Sequence, residues 1–203
     1  MAFMKYQTSY DQNENLPNKQ GLLNKDEIDL AEFEGFLTAE ILLTDKLTSK
    51  TKFDLKYIQN IHLLALGELY DFAGKWRTVN LSKGGYVFAS AQFLDQTMQY
   101  FEDEMLKNLP KRYASKEDLL NDVAKIHAEL LFIHPFREGN GRAARILANL
   151  MCRKYGYEPP NWELISKDEK EPLNFGIYVK AVQQAANQDY TLMQQIFRQI
   201  SLS

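Results

Sequence analysis

Cysteine is nearly absent from this chain. The one present, Cys152, cannot form an internal disulfide, and no Cys/His grouping has metal-ligand spacing. Its setting, "ILANLMC", is that of a buried small hydrophobe. No apolar run approaches the roughly 20 residues needed to span a bilayer. A basic excess is missing too: 24 Lys and Arg stand against 27 Asp and Glu, a net charge of -3. That balance argues against general affinity for nucleic acid or an anionic membrane, both of which want a basic surface. The N-terminal stretch "MAFMKYQTSYDQNENLPNKQ" is polar and lacks the apolar core of a secretory signal. These absences lead to the expectation of a cytoplasmic protein in a reducing compartment.

What is present fits one globular domain: 203 residues, 45% hydrophobic and 25% charged. Residues 1–20 form a polar N-terminal arm, and residues 21–203 a single domain. Asn24 is placed to cap a helix, with Glu27 at its third position. Ile28, Ala31, Phe33, Leu37, Ile41 and Leu42 then recur at near-helical spacing. A second helix starts at Asp54. Between residues 76 and 90 the helical pattern breaks, and Val79, Leu81, Val87 and Phe88 flank Ser82-Lys83-Gly84-Gly85, a turn composition that predicts a β-hairpin. Helical periodicity resumes over 91–109, and Ser115 with Asp118 starts a further helix whose wide apolar face predicts a central position. A strong helix former, "RAARILANLMCRKYGY", ends near Gly156, and two weaker helices follow. The expected class is all-α with one small β-hairpin.

The charge-rich break "HPFREGNGRAAR", residues 134–145, carries the chemistry. Pro135 ends the preceding helix, because it biases the residue before it away from the α region. Gly139, Asn140 and Gly141 tolerate positive φ, so successive backbone N–H groups can turn inward as an anion nest. The next helix adds its free N–H groups and the positive end of its dipole. Arg142 and Arg145, three apart, can reach phosphate oxygens in forked geometry. Glu138 makes sense beside them if Mg²⁺ bridges it to the phosphates. His134 stands at the lip of the loop, placed to take a proton from an incoming hydroxyl. Phe136 anchors the loop. The parts describe a site for a Mg²⁺-bound polyphosphate beside a general base, weighed against a mere surface cap with nearby arginines.

The same stretch resembles the Fic family motif, His-x-Phe-x-(Asp/Glu)-Gly-Asn-Gly-Arg-x-x-Arg, which it matches throughout. "LYDFAGKWRTVNLSKGGYVFA" is similar to the segment that leads into and forms the family's hairpin flap, and "GLLNKDEIDLAEFEGFL" to its opening. The resemblance covers about residues 20–190 and implies the mainly helical Fic fold with one β-hairpin flap over the active site. It also implies a protein adenylyltransferase moving AMP from ATP, with Mg²⁺, to a Tyr, Ser or Thr hydroxyl. On that pattern His134 is the general base, and Glu138 holds Mg²⁺ between the α- and β-phosphates. Gly139, Asn140 and Gly141 form the anion hole, Arg142 contacts the β-phosphate and Arg145 the γ-phosphate. Arg137 lines the phosphate site through its backbone. Lys83 and Gly84 approach the nucleotide, and the flap residues Gly85, Tyr86, Val87 and Phe88 dock the target as an added strand. Tyr178 is weighed as an adenine-stacking residue against an ordinary helix tyrosine; His62 and His127 are taken as structural.

Many members of this family are inhibited by a glutamate that pairs with the motif's second arginine, here Arg145. Glu34, in "LAEFEG", is a candidate, although Leu30 stands where the family has a hydroxyl residue. The favoured expectation is inhibition by a small antitoxin-like partner that supplies the glutamate, or none. The alternatives kept open are transfer of another nucleotide, phosphorylation, deAMPylation and a non-catalytic phosphate-binding module. Retention of Arg145 speaks against phosphorylation, and His134 with Glu138 against simple phosphate capture.

Overall fold

Helix boundaries follow the caps. In the computed structural model, which describes residues 15–83 and 86–201, the Asn24 side chain accepts from Asp26 N and opens α1, Lys25–Asp45. Asp54 accepts from Tyr57 N at the start of α2, Leu55–Leu66. Ser115 accepts from Asp118 N to begin α4, Lys116–Ile133. Each is a short polar side chain satisfying a backbone donor that the helix itself leaves open. The short α3, Leu94–Phe101, runs into a π-turn over Glu102–Leu106. After the motif loop come α5, Asn140–Lys154, then α6, Phe175–Gln184, and α7, Thr191–Ser201. The hairpin is small: β1, Ser82–Lys83, pairs antiparallel with β2, Tyr86–Val87, with Ser82 opposite Val87 and Lys83 opposite Tyr86. Gly84 and Gly85 lie outside the described residues.

α4 is central, as its wide apolar face predicts; it packs against α5 and α7, with α3 and α6 alongside. Ten of its residues are buried, from Leu119 through Ile133. α1 and α2 pack on each other and close over the start of α5. Within the polar arm, Lys19 is tied down: its N–H donates to Leu69 O at 2.9 Å and its Nζ to Gly67 O at 2.7 Å. No helix among the described residues is long and apolar enough to cross a membrane.

The apolar face of α1 differs from the expected one. Phe33, Leu37, Ile41 and Leu42 are exposed, whereas Ile28, Glu32, Phe36, Ala39 and Leu43 are buried. The reason is the crossing point with α2. A Cβ on Gly35 would lie 2.0 Å from Ala65 O, so the two backbones meet where only glycine fits. That contact fixes which side of the helix turns inward, and it brings a carboxylate with it.

Two histidines are structural. His127, on α4, shares a 2.6 Å hydrogen bond between Nε2 and the Tyr178 hydroxyl, and its Nδ1 lies 3.2 Å from Ala144 O. Burial lowers its pKa to about 3, and that of His62 to about 4. Tyr178 is buried against it, so this tyrosine belongs to the core and not to an adenine face.

Two tests follow from the packing. Gly35→Ala must push α1 off α2 and is expected to lower unfolding stability by about 3 kcal/mol in urea titrations; an unchanged midpoint would mean the crossing is loose. The histidines set an acid limit. Both are neutral when folded and titrate near 6.5 when unfolded, so their contribution is full above pH 6.5 and is lost as pH falls toward 4 and then 3. Unfolding free energy should drop on the order of 3 kcal/mol between pH 7 and 5, and His127→Gln should flatten that slope.

Candidate functional site

The site is built where α4 is forced to stop. Pro135 bars another helical turn, and His134 takes the left-handed conformation, φ 57° and ψ 59°, with its N–H still on Leu130 O. A non-glycine residue held there is strained, and such positions cluster at functional sites. The ring is held as well. Nδ1 lies 2.9 Å from Leu131 O, so Nδ1 carries the proton and Nε2 keeps the lone pair in the neutral ring. Phe88, just after β2, stacks on this ring at 4.0 Å. His134 is therefore oriented from both the helix and the flap.

Arg77 holds this corner together. Its guanidinium is buried and donates to His134 O (2.8 Å), Val79 O (2.8 Å), Ala89 O (2.6 Å) and Ile133 O (3.4 Å). Its backbone N–H donates to Pro135 O at 2.8 Å. One side chain thus ties both feet of the flap to the end of α4. Burial lowers its pKa to about 10, which leaves it charged at neutral pH. Sequence reasoning did not single it out.

The loop that follows is closed from inside. Phe136 stacks on His62 at 3.9 Å. His62 Nδ1 accepts from Gly74 N at 2.9 Å, so its Nε2 donates to Glu138 O at 3.0 Å. Asn140 is buried, with Oδ1 accepting from Phe136 N and Nδ2 donating to Phe136 O, both at 2.8 Å. Of the three residues able to tolerate positive φ, only Gly139 adopts it, at 75°; Asn140 and Gly141 are the first helical residues of α5. The turn is thus one left-handed glycine feeding a helix N-terminus. A Cβ on Gly139 would come within 2.7 Å of Phe36 Cζ, whereas around Gly141 there is open space. No side chain caps α5, so its first N–H groups are offered to whatever binds there.

The charged side chains stand around this helix start. Glu138 is half-buried; its Oε1 accepts from Gly139 N at 2.8 Å and lies 3.6 Å from Arg142 Nη2. Arg142 lies over the Phe36 ring at 4.6 Å and donates through Nη2 to Glu32. Arg145 faces another wall, 5.5 Å over the Trp162 ring, and its buried Nε has no hydrogen-bond partner among the described residues. Arg137 is half-buried, and burial lowers its pKa. An orphaned guanidinium nitrogen and an uncapped helix both suit an anion. No cluster of three His, Cys, Asp or Glu exists among the described residues, so a metal here would take Glu138 and complete its shell from ligand oxygens and water, as Mg²⁺ does.

The other candidates fall as follows. Tyr86 packs toward Phe132 and Phe88, while Val87 is 71% exposed and presents an apolar edge to solvent. Lys83 contributes backbone to β1. Glu34 is exposed and makes no ion pair among the described residues. The α1 carboxylate that reaches the motif is Glu32, and it reaches Arg142 instead of Arg145. The spacing Ile28–Glu32–Phe36 is the signal that would have found it.

Arg77 makes a direct prediction. Arg77→Met leaves four carbonyls without their donor and should cost about 3 kcal/mol or more of unfolding stability. Arg77→Lys should recover only part of it, because an ammonium cannot span the same fork. A lysine variant as stable as the parent chain would show that the guanidinium geometry does not matter.

Known proteins share this fold. The Fic/DOC family matches residues 52–152, about half of the chain. Protein adenylyltransferase VbhT of Bartonella schoenbuchensis is 29% identical over 118 residues, 58% of this chain and 24% of that one. Protein adenylyltransferase Fic of Drosophila willistoni is 34% identical over 114 residues, 56% of this chain and 22% of that one. The matches thus span under a quarter of the length of these two relatives. Among solved structures, the N-terminal Fic domain of Bep8 from Bartonella sp. 1-1C superposes with a TM-score of 0.77 at 18% identity, covering 96% of this chain and 94% of that one. BepC from Bartonella tribocorum, solved with bound AMPPNP, gives 0.74 at 19% identity and 94% coverage of each. With the fold, the motif loop and the family match in agreement, the chain belongs to the Fic/DOC family.

Proposed function

We propose that this chain transfers AMP from Mg²⁺-bound ATP to a hydroxyl of a target protein. The observation that carries the reading is the junction of α4 and α5. There an oriented histidine base stands at the lip of a loop whose next element is an uncapped helix start with two arginines. The relatives named protein adenylyltransferases support it, as does the nucleotide analogue bound to BepC.

In this reading His134 Nε2 takes the proton of the target hydroxyl as its oxygen bonds the α-phosphorus. The bond from that phosphorus to the bridging oxygen of the β-phosphate breaks, and pyrophosphate leaves. The N–H groups at the start of α5 hold the phosphates, Arg142 the β- and Arg145 the γ-phosphate, so charge that moves onto the leaving group meets fixed donors. Mg²⁺ on Glu138 supplies further neutralisation of the phosphate oxygens. The target strand adds to the flap edge, where Val87 is exposed and Phe88 touches the base. Regulation comes in trans in this account. Glu34 is exposed on α1, leaving Arg145 to a glutamate brought by a small antitoxin-like partner.

The test uses the purified chain with Mg²⁺, a lysate of its source cell, and ATP labelled at the α- or the γ-phosphate. Label should enter a protein band from α-labelled ATP only, and His134→Ala should abolish it by a factor of about 10³ or more. Labelling from γ-labelled ATP alone would mean phosphorylation and would overturn the proposal.

A further inference from the structure

Glu32 is an anomaly in the polar inventory. It sits in the middle of α1 with 6% exposure, one turn after Ile28 and one before Phe36. A buried carboxylate is stable only when both oxygens are satisfied. Here the Tyr70 hydroxyl donates to Oε1 at 2.6 Å, and Arg142 Nη2 donates to Oε2. Tyr70 is itself buried, stacked on Phe72 at 4.6 Å. Phe36, on the next turn of α1, lies under the face of the same guanidinium, and its ring also lines the space beside Gly139. α1 therefore holds Arg142 twice, at one edge by charge and on one face by an aromatic ring.

Two roles are open to such a carboxylate. A brake must be able to let go of its arginine, which requires somewhere wet for the freed carboxylate to go. Glu32 has none: its side chain is 8% exposed, and release would leave a charge in the core with a single tyrosine for company. A fixed anchor is the role that fits. One Arg142 nitrogen is engaged by Glu32, and the other donors of the planar guanidinium are thereby set in a fixed direction before any ligand arrives.

We propose that Glu32, supported by Tyr70 and Phe36, is a positioning residue that pre-sets Arg142 for the second phosphate of a nucleoside di- or triphosphate. The binding site then includes α1, which lies outside the segment 52–152 matched to the family. This rests on the reading of the site as a nucleotide site.

The test compares Mg²⁺-dependent binding of AMP, ADP and AMPPNP by calorimetry in the parent chain, Glu32→Ala, Glu32→Gln and Tyr70→Phe. Arg142→Ala marks the loss of the arginine itself. Glu32→Ala should weaken ADP and AMPPNP about tenfold while leaving AMP within about twofold. Glu32→Gln, which keeps an acceptor, should fall between, and Tyr70→Phe should shift in the same direction. The last two keep the packing, so they carry the test if the alanine variant does not fold. Equal weakening of all three nucleotides would reduce Glu32 to a structural role and overturn the proposal. Tighter ADP and AMPPNP binding in Glu32→Ala would make it a brake and also overturn it. A parent chain that binds none of the three overturns the nucleotide reading and this inference together. One that separates ADP from AMP, with Glu32→Ala unchanged, overturns this inference alone.

Discussion

The buried guanidinium of Arg77 joins the end of α4 to both feet of the β-hairpin flap. The end of α4 and the two feet of the flap accept from its side chain, and its backbone N–H adds a bond to the Pro135 carbonyl. With no carboxylate among those acceptors, the cation is stabilised wholly by carbonyl dipoles, each aimed inward. The left-handed turn at His134 and the place of Phe88 against its ring both depend on that arrangement. His134 and the flap that bears on its ring are thus parts of one rigid corner.

The second half of the site hangs on a helix crossing. Gly35 lets α1 come down onto Ala65, and that depth carries Phe36 to Gly139 and Glu32 to Arg142. The motif loop is held from below by α2 through His62 and from the side by α1. Its own side chains, Phe136 and Asn140, face inward and close it from inside. Rigidity of this kind is what electrostatic catalysis asks for, since donors already in place need no reorganisation when charge moves.

What was legible in the sequence is what is local. Asn24, Asp54 and Ser115 declare helix starts because each cap acts over two or three residues. The motif at 134–145 is readable because Pro, Gly and the charged residues act on their own neighbours. What stayed hidden acts at a distance: Glu32 finds Arg142 across 110 positions, and Arg77 finds His134 across 57. The face of α1 was misjudged for the same reason. Its outward residues Phe33, Leu37 and Ile41 are as apolar as Ile28, Phe36 and Leu43 on the inward side, which also carries Glu32, and the close approach at Gly35 decides between the two sides. Asn140 and Gly141 were expected in a nest, but the helix begins two residues before Arg142 and takes them in.

The most direct measurement is a crystal structure with Mg²⁺ and a non-hydrolysable ATP analogue. The account predicts the phosphates on the N–H groups at the start of α5, the metal on Glu138, Arg145 turned to the terminal phosphate, and the α-phosphorus in line with His134 Nε2. Arg142 should still be held by Glu32. A nucleotide seated elsewhere, or phosphates that leave the α5 N-terminus untouched, would contradict it.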